Sequence, residues 1–164
     1  MDELREGIIN GREAFVQALR DALHLAAKRG CRELCCMDAD FAAWPLSEAS
    51  VLEALTQWAY PHRRLMLLAT QFDELRRRHP RFVQWRRTWD HVVSARQYQR
   101  DDLERNGPVG LLLAPGLVSL RLLDAQHGRA ALSVRAADEI ATRDWFDAVW
   151  QRSEESFSAT TLGL

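Results

Sequence analysis

Glu33-Leu-Cys-Cys-Met-Asp38 and Arg64-Leu-Met-Leu-Leu-Ala-Thr70 decide the fold. Each is a short apolar run without the polar alternation of a half-exposed strand. Such a run reads as a strand buried on both faces, the habit of a sheet covered by helices on each side. The flanking segments supply those helices. Residues 11–29 carry Phe15, Leu19, Ala22, Leu23 and Ala26 at the spacing of one helical face, and Gly30 stands where a C-terminal cap belongs. Ser47 or Ser50 is placed to cap a second helix over 48–60, with Leu52, Leu55 and Ala59 inward and Pro61 as its stop. Residues 71–78 and 81–89 read as one helix broken or bent at Pro80. Val92 to Tyr98 reads as a third strand, with Val93, Ala95 and Gln97 alternating against Val92, Ser94 and Arg96.

The pattern then changes. Gly107-Pro108 and Pro115-Gly116 punctuate the apolar runs Val109 to Ala114 and Leu117 to Leu123, and a third run, Arg129 to Arg135, follows His127-Gly128. These read as an antiparallel meander. Ala137 to Ser153 closes as a helix with Ala141, Trp145, Ala148 and Val149 on one side. The expected fold class is therefore α/β, a mixed, partly parallel sheet sandwiched between helix layers. One domain spans 1–164, with 1–10 as an N-terminal extension and 154–164 as a C-terminal tail whose end, Phe157 to Leu164, is a small apolar cluster.

The 164 residues are 47% hydrophobic and 27% charged, enough apolar matter for a core without disulfides. A net charge of −1 gives no global attraction to nucleic acid or acidic membrane. Locally the balance differs: Arg63 to Arg105 holds eleven arginines against six acids, a net of +5. No leader is visible, and no apolar stretch approaches the ~20 residues of a membrane helix. Three cysteines without an export signal read as free thiols of a reducing compartment, so the expected location is cytoplasmic, with no membrane partner.

Asp38-Ala-Asp40-Phe41 and Trp44-Pro45-Leu46 follow the first central strand. His79-Pro80-Arg81-Phe82 leads into Trp85-Arg86-Arg87 and Trp89; Trp145-Phe146, Trp150 to Ser153 and Thr160 to Leu164 close the chain. With these residues in this order the chain resembles a bacterial family of small domains of unknown function related to the phospholipase D-like fold. That resemblance implies paired subunits, a homodimer. Catalytic relatives in that superfamily carry His-x-Lys-x4-Asp, in which the histidine attacks phosphorus and the lysine neutralises phosphate. Here His127 is followed by Arg129 and then by Val134 where the aspartate belongs; on the alternative alignment Gly107, Val109 and Ala114 occupy the three positions. The resemblance thus implies the fold without the phosphodiesterase, and no catalytic residue, metal or cofactor is expected.

Several groups remain as ligand candidates. Asp38 and Asp40 follow a central strand, where ligands gather in open α/β sheets, or they serve as turn residues. His79 and His91 sit at element boundaries near arginines, suited to acid–base work or to capping. Six arginines lie from Arg76 to Arg87; Phe82, Trp85 and Trp89 share an inward face, and Arg86 and Arg87 are expected off it. Arg81, Arg86 and Arg87 could take phosphate or carboxylate, hold nucleic acid, or form a solvated face. Arg96 could project from its strand towards the inherited site. Cys31, Cys35 and Cys36 read as buried thiols, and Trp44 or Trp150, if exposed, as interface anchors. The leading expectation is a non-catalytic module binding an anionic ligand or protein partner. The alternatives are a phosphate-handling enzyme with a rebuilt site using His79 or His91 with Arg96, and nucleic-acid binding through the arginine-rich helix.

Overall fold

Leu34 and Cys36 are buried in one core, while Cys35 and Met37 are buried in another. Successive side chains of an extended strand leave on opposite sides, so this strand is enclosed from both. The computed structural model describes residues 4–60 and 62–159. Its elements in chain order are β1 (Gly7–Ile9), α1 (Arg12–Arg29), β2 (Glu33–Met37), α2 (Ala49–Trp58), β3 (Arg64–Ala69), α3 (Asp73–Arg78), α4 (Pro80–Thr88), β4 (Val93–Gln97), β5 (Gly110–Ala114), β6 (Val118–Asp124), β7 (Arg129–Ser133), α5 (Ala136–Arg152) and β8 (Glu154–Glu155). The described strands form one sheet in the order β1-β7-β6-β5-β2-β3-β4-β8. β2, β3 and β4 are parallel neighbours, and every other pairing is antiparallel.

The larger core lies between this sheet and α1 to α4. It gathers Phe15, Leu19, Trp58, Leu75 and Phe82 over Leu34, Leu65, Leu67, Leu112 and Leu120. On the opposite face α5 sets Phe146 and Val149 over Cys35, Met37, Met66, Leu68, Leu111 and Leu113. The fold is α/β with a mixed sheet between helix layers, as the apolar runs imply. Among the described residues, no helix is long and apolar enough to cross a membrane.

Three local readings are corrected. The N-terminal extension contributes β1, paired antiparallel to β7 at Ile8↔Ala131. The C-terminal tail contributes β8, paired to β4 at Arg96↔Glu155, and buries Phe157. Of the two alternatives at Pro80 the break is the one found: Pro80 opens α4 as its first residue, because a proline at that position gives up an N–H that no helical carbonyl needs. Neither Ser47 nor Ser50 caps α2. Glu48 holds that position, and its carboxylate grips the Arg20 guanidinium of α1 at 2.7 and 2.8 Å, which holds it below the usual carboxylate range. Pro61 and residues 160–164 of the apolar cluster lie outside the described residues.

One glycine joins the two ends of the larger layer. Gly128, in the β6–β7 turn, has φ 67°, and a Cβ there would lie 2.4 Å from the backbone nitrogen of Arg12. Arg12 in turn donates to the Gln126 carbonyl at 2.7 and 3.0 Å, so the turn is docked on the start of α1. Gly128→Ala is expected to lower unfolding free energy in urea by about 2 kcal/mol or more, from strain and collision together. Gly116→Ala, at φ 81° with open space around it, should cost only about 1 kcal/mol.

Candidate functional site

At one margin of the sheet, β4 is paired with β8 only in part. The contact runs through Gln97↔Glu154, Arg96↔Glu155 and a bond from Ser156 N–H to the Ala95 carbonyl. Val93 and Ser94 lie beyond it and open into a cleft of about 840 Å³. Four arginines from four elements line this cleft: Arg64 at the head of β3, Arg76 from α3, Arg86 from α4 and Arg96 from β4. Asp90 and Glu155 are the acids of the lining, and Trp150 of α5 forms part of the wall.

Two of these guanidinium groups are already held. Arg96 donates from Nε to Ser153 Oγ at 2.7 Å and from Nη2 to the Ser153 carbonyl, and lies 5.4 Å from the Trp150 ring centre. Arg86 donates from Nε to the Phe157 carbonyl at 3.0 Å and from Nη1 to Asp90 at 2.8 Å. It is 5% exposed, which corrects the expectation of an outward residue. The reason is position: Arg86 is four residues after Phe82, so it shares the inward sector of α4, and Phe157 gives it a carbonyl to bond there.

Phe157 is a second fixed point. It adopts φ 49°, a left-handed conformation, and stacks on Phe72 with ring centres 5.0 Å apart. The guanidinium groups of Arg76 and Arg86 lie 5.1 and 5.5 Å from its ring centre. Arg64 and Arg76 are exposed and have no carboxylate partner among the described residues.

The remaining candidates gather elsewhere or stand apart. Asp38 accepts from the N–H groups of Asp40 and Phe41 at 3.2 and 2.8 Å, and Asp40 accepts from Ala42 N–H at 2.9 Å. This is turn chemistry after β2, and it sets Phe41, at φ 59°, edge-on against Trp44. Burial pushes Asp38 above the usual carboxylate range, only partly offset by those two N–H groups. Burial also pushes the Tyr98 phenol up, helped by the neighbouring Asp38. His79 is buried, with Nε2 3.0 Å from the Phe41 carbonyl and Nδ1 2.5 Å from Ser47 Oγ. His91 is exposed, its ring tilted against that of Trp89 with centres 5.8 Å apart. Arg81 and Arg87 are exposed and outside the cleft, so of the predicted set only Arg86 and Arg96 line the cleft, while Asp38, Asp40 and His79 meet at the Phe41 turn. Trp44 is buried rather than an exposed anchor, and Trp150 is half-buried.

Sequence reasoning missed Arg64 and counted Arg76 only within a run. The second of two adjacent arginines, heading an apolar strand, was the available signal for Arg64. The three cysteines are free; burial raises all of them, Cys35 to about 12, so they stay protonated at neutral pH. Among the described residues, no three His, Cys, Asp or Glu side chains are grouped to hold a metal ion.

Two expectations follow from these contacts. Arg86→Ala strands the Phe157 carbonyl and should reduce unfolding free energy by about 2–3 kcal/mol, while Arg87→Ala stays within about 0.5 kcal/mol, both read by urea denaturation. Asp38 has a folded pKa raised above its unfolded one. Its contribution to stability is therefore complete at low pH and is lost as pH rises through the raised value. Asp38→Asn keeps an accepting oxygen and cannot ionise. Its stability relative to the parent chain should increase between about pH 3 and pH 7, and no increase would contradict the assignment.

No family model and no curated protein matches the chain. A solved structure of similar fold is that of TrmBL2, an archaeal chromatin protein whose structure shows a novel mode of DNA binding. The match has a TM-score of 0.62 at 14% identity and covers 93% of this chain and 54% of that one. At that identity the likeness is one of fold, and this chain spans about half the length of its neighbour.

Proposed function

We propose that this chain is a non-catalytic, phospholipase D-like module that binds an anionic ligand, a phosphate or carboxylate, in the cleft beside β4. The observation that carries this reading is the convergence of Arg64, Arg76, Arg86 and Arg96 on one cleft against two acids. Arg86 and Arg96 are immobilised by Phe157, Asp90 and Ser153, which fixes their positive charge without using all of their donors. Arg64 and Arg76 are the groups left to close on a ligand. Guanidinium forks suit planar or tetrahedral oxyanions, and a partly enclosed cleft strengthens each contact over its value in open water. The chain lacks His-x-Lys-x4-Asp, which supports binding over phosphodiester cleavage.

A second reading, nucleic-acid binding, is favoured by the DNA-binding neighbour. Arg77 and Arg78 are taken by Glu74 and Arg86 is buried, so the arginine-rich segment offers Arg76, Arg81 and Arg87 for backbone phosphates.

Calorimetric titration of inorganic pyrophosphate at low salt separates these readings. Saturable binding is expected, weakened at least about tenfold by Arg64→Ala with Arg76→Ala and unchanged by Arg87→Ala. Equal affinity in the double variant would remove the cleft from consideration. A labelled DNA duplex bound in a salt-sensitive way, and released by Arg81→Ala with Arg87→Ala, would instead support the second reading.

A further inference from the structure

The main-chain groups of β4 alternate in direction as its side chains do. Val92, just before the strand, gives its carbonyl to Leu65 of β3, whereas Ala95 turns its own outward to Ser156 N–H. Val93 therefore also aims its carbonyl at the margin, and β8 has ended before reaching it. The tail leaves the line of β8 at Phe157, which adopts φ 49° and buries its ring in the larger core. What remains beside Val93 and Ser94 is an open stretch of sheet edge inside the cleft.

The four arginines of the cleft lie on both sides of this edge. Along β3 and β4, Leu65, Leu67, Val93 and Ala95 belong to the larger core, and Met66 and Leu68 to the smaller. Strand alternation therefore sets Arg64, Ser94 and Arg96 on the α5 face, where Arg96 meets Trp150 and Ser153. Arg76 and Arg86 come from helices of the opposite layer and flank Phe157. Of the acids in the lining, Asp90 is taken by Arg86, and Glu155 is on β8, directly across from Arg96. Positive charge thus stands above and below one sheet edge.

We propose that the ligand of the cleft is an extended acidic segment of another protein, added to β4 as a further strand in line with β8. This rests on the anion-binding reading above and names the carrier of the anion. Successive side chains of such a strand leave on opposite faces. Consecutive glutamates or aspartates then reach Arg64 on one side and Arg76 on the other. The N–H groups of the segment supply a donor for the outward Val93 carbonyl, which the oxygens of a phosphodiester backbone cannot bond. The molecule already holds an example, since the segment that pairs with the rest of this edge is Glu154-Glu155.

Fluorescence anisotropy of the full chain with labelled, C-terminally amidated hexaglutamate tests this, beside the same peptide methylated at every backbone nitrogen. Both peptides carry the same charge, but the methylated one has no N–H to give β4. Saturable binding of hexaglutamate is expected, weakened at least about tenfold by methylation and by Arg64→Ala with Arg76→Ala. Both arginines are exposed, and thermal melts verify that the double variant folds. Equal binding of the two peptides would overturn strand addition, while pyrophosphate binding that still depends on Arg64 and Arg76 would leave the anion site standing. No binding of hexaglutamate overturns the proposal, and loss of pyrophosphate binding as well removes the anion site with it. Oligothymidylate bound more tightly than hexaglutamate, with the same dependence on Arg64 and Arg76, would assign the cleft to nucleic acid and overturn the proposal likewise.

Discussion

The enclosure of β2, β3 and β5 on both faces governs everything else in the molecule. Strands with no polar side must be roofed twice, and the chain roofs them unequally. Four helices share the larger layer, while α5 is the helix of the smaller one. A helix is about 10 Å across and strands are spaced about 4.8 Å apart, so one helix shelters two or three strands of eight. The margins of that face are therefore left open by geometry. The arginine-lined cleft straddles the β4 margin, with Arg64 and Arg96 on strands and Arg76 and Arg86 on α3 and α4 of the larger layer.

Arginine fills three different physical roles here, and composition cannot separate them. Arg63, Arg86 and Arg96 donate to backbone carbonyls, at Trp58, Phe157 and Ser153. Arg20 and Arg143 tie helices to other elements through Glu48 and Glu33. Arg64, Arg76 and Arg121 have no such tie. What distinguishes the groups is the neighbour each meets in three dimensions, often many residues away, as with Arg86 and Phe157.

The layers were legible because a short, uninterrupted apolar run between helical patterns suits a doubly covered strand and little else. Glu33 to Met37 and Arg64 to Ala69 fall where those runs lie, and the meander falls between its Gly–Pro punctuation. The marginal strands were not legible. β1 is three residues and β8 is two glutamates, too short to show any period. The candidate cleft was half legible. Arg96 could be placed by strand alternation, but Arg86 was read by charge when its spacing from Phe82 already put it inside. Asp38 and His79 were singled out for chemistry and serve the same turn, one bonding the Phe41 N–H and the other its carbonyl.

The register of β1 has a consequence for how the chain is made. Gly7 pairs with Leu132, so β1 finds its partner only after more than a hundred further residues have left the ribosome. Likewise β2 acquires β5 at Cys35↔Leu113, long after β3 has settled on its other side. Closing such distant pairs is slow, and half-sheets with open edges are sticky in the interval. The parallel unit of β2, β3 and β4 with its own helices is the part that can assemble during synthesis. The meander then completes the β2 side of the sheet and takes up β1, and β8 closes the β4 margin last.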